Sequence, residues 1–225
     1  MHAHDYPGFA ASEPGVVGSD GVWTPLRSEP VPELLARGRT CVVAVGSNAS
    51  PQLMHTKLHR AGVNPEVACV PYRPTGLALA HSAHVSAGGY LAITPYAAPG
   101  CVVGVVASWF DADQLAALDA TEPNYFRRPL PDWVLGGPRG AQVYVSRWGV
   151  LAPDGQPLDA TTQARVHAEL ARDPVLADRL PLADAGATVT ALSDPVVQVA
   201  VRERLRELRW IAPTGLQVDE RATEC

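Results

Sequence analysis

Lysine is almost missing from this sequence: of eighteen basic residues only Lys57 is not an arginine. We read the skew as genome composition rather than recognition chemistry. Basic residues are also not in excess. A net charge of -5 leaves no basic stripe of the kind that binds nucleic acid. No apolar run approaches the roughly 20 residues that a membrane-crossing helix needs. The segment Met1-His2-Ala3-His4-Asp5-Tyr6 lacks the basic and apolar regions of a secretory leader. The expectation is therefore a soluble, cytoplasmic protein with no nucleic-acid or membrane partner. The four cysteines, Cys41, Cys69, Cys101 and Cys225, form no Cys-x-x-Cys pair. The first three lie in apolar, strand-like runs, which predicts buried, reduced thiols and no metal or disulfide framework. Neither a Gly-x-Ser-x-Gly elbow nor a His-Glu-x-x-His pair occurs, and the chain has no internal repeat.

What is present is organised around residues 41 to 51, Cys-Val-Val-Ala-Val-Gly-Ser-Asn-Ala-Ser-Pro. The β-branched and small apolar residues predict a strand buried on both faces. Gly46 lets the backbone turn, and Ser50-Pro51 has the form of an N-cap followed by proline at the first helical position. A helix over Gln52 to Arg60 follows. Such a strand-to-helix turn exposes backbone N–H groups and suits a carboxylate or an oxyanion.

At 225 residues the chain is long enough for one domain with a sizeable core, or one domain with an extension. Residues 1–38, rich in Gly, Pro and Ser, read as an arm held down by Trp23 and Leu26, with a short helical turn at Pro32 to Arg37. Strand character recurs at Glu66 to Tyr72, Thr75 to His81, Tyr90 to Pro95 and Cys101 to Phe110. Asp111 then caps a helix, Ala112 to Ala120, whose Leu115, Ala116 and Leu118 are expected to face inward. That helix stops at Glu122-Pro123, because a residue before proline avoids the helical region. Two further strands, Phe126 to Leu135 and Ala141 to Trp148, flank a glycine-rich turn. Consecutive strands with few helices predict an α+β fold, an antiparallel or mixed barrel rather than βαβ units. Beyond a linker at 149 to 160 the pattern is helical, at Thr162 to Ala171, Val175 to Leu180 and Val196 to Trp210. The last of these is amphipathic and packs on the barrel or on a second subunit, which leaves room for a homodimer.

The Val45-Gly46-Ser47-Asn48 turn resembles the glycine-serine signature of the gamma-glutamyl cyclotransferase-like family, usually written Tyr-Gly-Ser-Asn or Tyr-Gly-Ser-Leu. Leu118-Asp119-Ala120-Thr121-Glu122-Pro123-Asn124-Tyr125-Phe126-Arg127-Arg128 resembles that family's Leu-Asp-x-x-Glu, followed by tyrosine and arginine. Together the two cover roughly residues 40 to 148. Val45 stands where the family has tyrosine, and Pro123 where it commonly has glycine. The resemblance implies a small closed mixed β-barrel of about six strands with surrounding helices. The expected division is then an arm (1–38), the barrel (39–150) and a helical C-terminal extension packed on it (151–225).

The resemblance also implies a reaction. The α-amine of a gamma-glutamyl amine or peptide attacks its own γ-carbonyl, releasing 5-oxoproline and a free amine. One carboxylate can take the proton from the amine and return it to the leaving nitrogen. Glu122 matches the family's catalytic glutamate; its other reading is a salt bridge with Arg127 or Arg128. Val45, Gly46, Ser47, Asn48 and Ala49 form the expected cradle for the substrate, joined by Tyr125 and by His81 in an inter-strand loop. Because the nucleophile belongs to the substrate, no cofactor is implied. His55 and His59, spaced i, i+4, and His81 and His84 lack a third ligand at suitable spacing, so no metal is assigned. An amide hydrolase on the same cradle, or a binding protein that has lost turnover, are the alternatives.

Overall fold

The computed structural model describes residues 9–27 and 32–216. In chain order the first half comprises β1 (Gly15–Val17), β2 (Trp23–Pro25), α1 (Pro32–Leu35), β3 (Thr40–Ala44), α2 (Pro51–Arg60) and β4 (Val67–Tyr72). The long strands β5 (Thr75–Val85) and β6 (Leu91–Val102) follow, then β7 (Val105–Phe110), α3 (Ala112–Ala120), β8 (Tyr125–Pro129) and β9 (Gln142–Ser146). The remainder is β10 (Val150–Leu151), α4 (Gln163–Leu170), α5 (Pro174–Arg179), α6 (Ala185–Leu192), α7 (Pro195–Glu207) and β11 (Ile211–Ala212). The chain divides into two compact units, and it passes between them within β5, β6 and β9 and again after Thr214.

The larger unit holds a seven-stranded sheet in the order β2-β1-β4-β7-β3-β9-β8. β3 lies inside it, antiparallel to β7 from Thr40↔Phe110 to Ala44↔Val106 and parallel to β9 at Val42↔Gln142. Its side chains are buried on both faces. Val42 and Ala44 enter one core with Met54, Leu58, Phe110 and Leu118, while Cys41 and Val43 enter another with Trp109 and Ala107. A period of two on a pleated strand produces this division, which is why the buried run Cys41 to Ala44 is apolar throughout. Helix α3 begins in a capping box: Gln114 N–H donates to Asp111 Oδ1 at 2.9 Å, and Asp111 N–H donates to Gln114 Oε1 at 3.0 Å.

Several expectations are corrected here. Among the described residues the strands form two open sheets, not a closed barrel. The seven-stranded sheet ends on β2 and β8, because β5 pairs with β6 and with β10 in a second sheet, β11-β10-β5-β6. The N-terminal segment contributes real strands: β1 pairs with β4 at Gly15↔Cys69, and the Trp23 ring lies so close to Gly15 that a Cβ there would meet it at 2.2 Å. The Leu26 side chain is exposed, and the residue is held by its N–H, which donates to Pro14 C=O at 2.9 Å. On α3 the inward face is Gln114, Leu115 and Leu118, whereas Ala116 is exposed. Positions 111, 114, 115 and 118 follow the 3.6-residue repeat and 116 does not. The expected strand Cys101 to Phe110 breaks at residues 103–104, and Cys101 is exposed. Burial pushes the Cys41 and Cys69 thiols up, to about 12 and about 11, so neither is a nucleophile at neutral pH. Cys225 and the other residues from 217 onward lie outside the described residues.

The smaller unit gathers residues Leu79–Tyr96 and Ser146–Thr214. Its core packs Leu91 and Leu151 from the sheet against Leu170, Leu176, Leu192, Val201 and Leu205 of the helices. Helix α6 was not expected, since its Ala-Gly-Ala-Thr-Val-Thr run has weak helix formers; burial of Leu192 and Thr188 decides the matter. Helix α7 ends at Glu207, three residues before the expected Trp210. Arg209 adopts φ 57°, and Trp210 N–H reaches back to Leu205 C=O at 2.9 Å, which satisfies a terminal carbonyl. No helix of the described residues is long and apolar enough to cross a membrane.

Candidate functional site

The site is built in the larger unit, where the turn after β3 meets the exit of α3. Val45, half-buried and extended at φ -128°, leads into Gly46 at φ 60°, a left-handed conformation that favours glycine. Residues Gly46–Ala49 then make one 3-10 turn, which buries Asn48 and Ala49, and Ser50 and Pro51 open α2. Ser50 holds the N-cap position, although its hydroxyl makes no capping bond. At the other side Thr121 closes α3, and Glu122 sits in the next turn. Its N–H donates to Asp119 C=O at 3.1 Å, and its own C=O accepts from Tyr125 N–H at 3.0 Å. Met54, Leu58 and Leu118 share one core and hold α2 against α3, so the two motifs face each other across a packed floor.

Asn48 and Glu122, 74 residues apart, are brought into direct contact. Asn48 Nδ2 donates to Glu122 Oε1 at 3.0 Å. The third member is Lys57, from the second turn of α2. Its Nζ donates to Asn48 Oδ1 at 2.6 Å and to Glu122 Oε1 at 2.8 Å. Side-chain exposures of 13% for Glu122 and 24% for Lys57 make this a mostly buried ion pair with an edge open to solvent. Glu122 Oε2 accepts no hydrogen bond from any described residue. The salt bridge weighed for Glu122 with Arg127 or Arg128 is replaced by one with Lys57, and Arg127 pairs with Asp119 instead.

Arg127 Nε and one of its terminal nitrogens each donate to Asp119 at 2.8 Å, a bidentate pair. Its other terminal nitrogen donates to Gln142, and Tyr144 Oη donates to Asp119 Oδ1 at 2.5 Å. The Arg127 guanidinium holds the Asp119 carboxyl below its ordinary value, with the Tyr144 phenol adding to this against the opposing pull of burial. Burial, and then the bond to Asp119, push the Tyr144 phenol well up, so it stays protonated and donates. A carboxyl with a depressed folded-state value contributes stability that is present above its unfolded value of about 4, and loses it as pH falls through the folded one. Asp119→Asn should therefore melt below the parent at pH 6, and the gap should narrow as thermal scans are taken down through pH 4. A gap that stays constant over that range would remove Asp119 from the acid limb.

The remaining expected residues are dispersed. Ser47 lies in the 3-10 turn, where its C=O accepts from Ser50 N–H at 3.2 Å. Tyr125 opens β8 and packs, half-buried, on the core shared by Met54 and Leu118. The loop placement of His81 is corrected. It lies within β5, not a loop, and is fully buried in the smaller unit. Its Nδ1 bonds Leu91 C=O at 2.9 Å, its Nε2 accepts from Thr161 N–H at 3.1 Å, and burial lowers its pKa. It is a satisfied core histidine. His84, also in β5, is lowered to about 4, chiefly by burial. His55 and His59 stack at 5.8 Å on α2, and among the described residues no three His, Cys, Asp or Glu side chains gather as a metal set. A groove of about 610 Å³ lies between α5 and α7, where apolar residues such as Leu176, Leu180, Val197 and Val201 are joined by Arg179, Glu203, Arg204 and Glu207.

Lys57 is the member of this cluster that sequence reasoning missed. Its signal was available: it is the chain's single ammonium-bearing side chain, two turns into the helix that the Gly46-Ser47-Asn48 turn opens.

Fold and site define a mixed α+β protein whose larger unit carries an Asn–Lys–Glu cluster at a strand-to-helix turn. No protein-family model matches the chain, and no curated protein does. Among solved structures, one described as a gamma-glutamyl cyclotransferase aligns with 81% of this chain and 95% of its own, at 14% identity and a TM-score of 0.38. A likeness of that extent assigns no activity.

Proposed function

We propose that the protein is a gamma-glutamyl cyclotransferase-like enzyme that converts a gamma-glutamyl amine or peptide to 5-oxoproline and a free amine. The observation that carries this reading is the contact between Asn48 and Glu122, since it joins the two motifs that resemble the family's. In the proposed reaction the substrate's α-ammonium approaches the open Glu122 Oε2 and gives up a proton. The freed amine attacks the γ-carbonyl carbon. Charge then develops on the carbonyl oxygen, where backbone N–H groups of the Gly46–Asn48 turn are the available donors. Protonated Glu122 returns its proton to the departing nitrogen as the C–N bond breaks. Glu122, regenerated as a carboxylate, then takes the second proton of the attacking nitrogen and passes it to the released amine, so the lactam keeps one N–H, the amine leaves as an ammonium ion, and neither water nor a cofactor is consumed. Buried Asn48 contributes by keeping Oε1 occupied, which leaves Oε2 as the proton acceptor.

The test is incubation with a panel of gamma-glutamyl amides and glutathione, scoring 5-oxoproline by mass, with and without a chelator. Product is expected from at least one member and at equal rate in both arms, because a base and an oxyanion site suffice for cyclisation. Free glutamate in place of 5-oxoproline would point to a hydrolase that uses the same carboxylate on water. One observation favours a second reading: Glu122 is already paired with Lys57. In that reading the pair is a strut between α2 and the end of α3, and the protein binds a ligand without turning it over.

A further inference from the structure

The geometry points to Lys57 as the residue that recognises the α-carboxylate of the substrate, and so restricts this site to head groups that are free α-amino acids. The inference rests on the reading above, and it assigns a role to the side chain that reading leaves idle.

An ammonium has three N–H donors. On Lys57 two are taken, by Asn48 Oδ1 at 2.6 Å and Glu122 Oε1 at 2.8 Å. The third has no acceptor among the described residues, and Glu122 Oε2 beside it has no donor. The ion pair therefore shows one open donor and one open acceptor, side by side, with a fixed sense. An α-amino acid presents the complementary pattern. Its ammonium and carboxylate are held on one carbon atom, about 3 Å apart by covalent geometry. Docked in the opposite sense, the substrate ammonium meets Oε2 and the substrate carboxylate meets the Lys57 ammonium, which gives two antiparallel ion pairs.

Charge balance favours this mode. Lys57 with Glu122 is neutral, and so is Arg127 with Asp119. A zwitterion added to a neutral pair leaves no buried charge uncompensated, whereas an amine lacking the carboxylate leaves a net positive charge in a mostly buried site. Lys57 is also well anchored: α2 packs through Met54 and Leu58, and the Asn48 amide fixes the direction of the ammonium. Arginine, which the chain uses everywhere else, would present a planar fork in place of a single point charge of this reach.

The test compares L-glutamate with 4-aminobutyrate, which differ only in the α-carboxylate, by calorimetric titration of the full chain. Turnover of a gamma-glutamyl amide and of the corresponding 4-aminobutyryl amide, which would cyclise to 2-pyrrolidinone, is read in parallel. The intact protein should bind L-glutamate about tenfold to a hundredfold more tightly than 4-aminobutyrate, the range for a hydrogen bond to a charged group. Lys57→Met should abolish the difference, and Lys57→Arg should restore part of it. Lys57→Gln, which keeps a donor for Asn48, serves the same purpose should the methionine variant fold poorly. Unchanged discrimination in the neutral variants overturns the assignment, as does no discrimination in the intact protein. Discrimination in binding without any 5-oxoproline leaves Lys57 in this role and removes the cyclotransferase instead.

Discussion

Glu122→Gln is expected to lower 5-oxoproline formation by about 10² to 10⁴, the usual contribution of a general acid–base group. The amide keeps the shape of the side chain and still accepts from Lys57 and Asn48, but it cannot take a proton from the substrate amine. Glu122 is bonded to Lys57 at 2.8 Å, so the substitution also carries a cost in stability. The exchange converts an ion pair to a neutral hydrogen bond in a site still open at one edge. A cost of about 1 kcal/mol follows, or some 2–4 °C in Tm. Catalyst and strut thus separate by magnitude. A rate that falls by orders while Tm moves a few degrees marks a base; a rate that survives with the same drop in Tm marks a strut and ends the catalytic proposal.

Leu118→Ala is expected to give the largest loss of stability among changes near the site. The side chain is 1% exposed and packs with Met54, Leu58 and Phe110, so its truncation leaves a cavity between α2, α3 and the sheet. Leucine-to-alanine changes in such cores cost about 2–5 kcal/mol, and Tm should fall by roughly 4 to 20 °C. Ala116→Ser is the control, two residues away on the exposed side of the same helix, and should stay within about 0.5 kcal/mol. Comparable effects in the two variants, measured by thermal unfolding, would contradict the packing of α3. The same cavity loosens the floor beneath Glu122, so turnover at a temperature where Leu118→Ala remains folded should also fall.

Local elements were legible because local physics decides them. The β-branched run that becomes β3, Gly46 at its end, Pro51 at the start of α2 and the Asp111 cap of α3 are all set within a few residues of chain. Placement of Glu122 at a helix exit follows from Pro123 in the same way. The histidines mark where such reasoning stops. His81-Ser82-Ala83-His84 has the small and polar residues of a loop, yet β5 carries it into a core where backbone groups of Leu91 and Thr161 satisfy the His81 ring. A partner 80 residues away leaves no mark on the local pattern.

Closure of the sheet was likewise beyond the sequence. Strand character does not say which strand pairs with which, and the preference of β5 for β6 and β10 left the seven-stranded sheet open. The sequence by itself determined the strand-turn-helix after Cys41, the capped helix that delivers Glu122, and the two motifs as candidates for one site. Tertiary structure alone decided that Asn48 and Glu122 touch, that Arg127 belongs to Asp119, and that Lys57 stands between the motifs. The reason is physical. Capping and periodicity are interactions over three or four residues, whereas a charge takes its partner from whatever the fold brings within about 3 Å, at any separation along the chain.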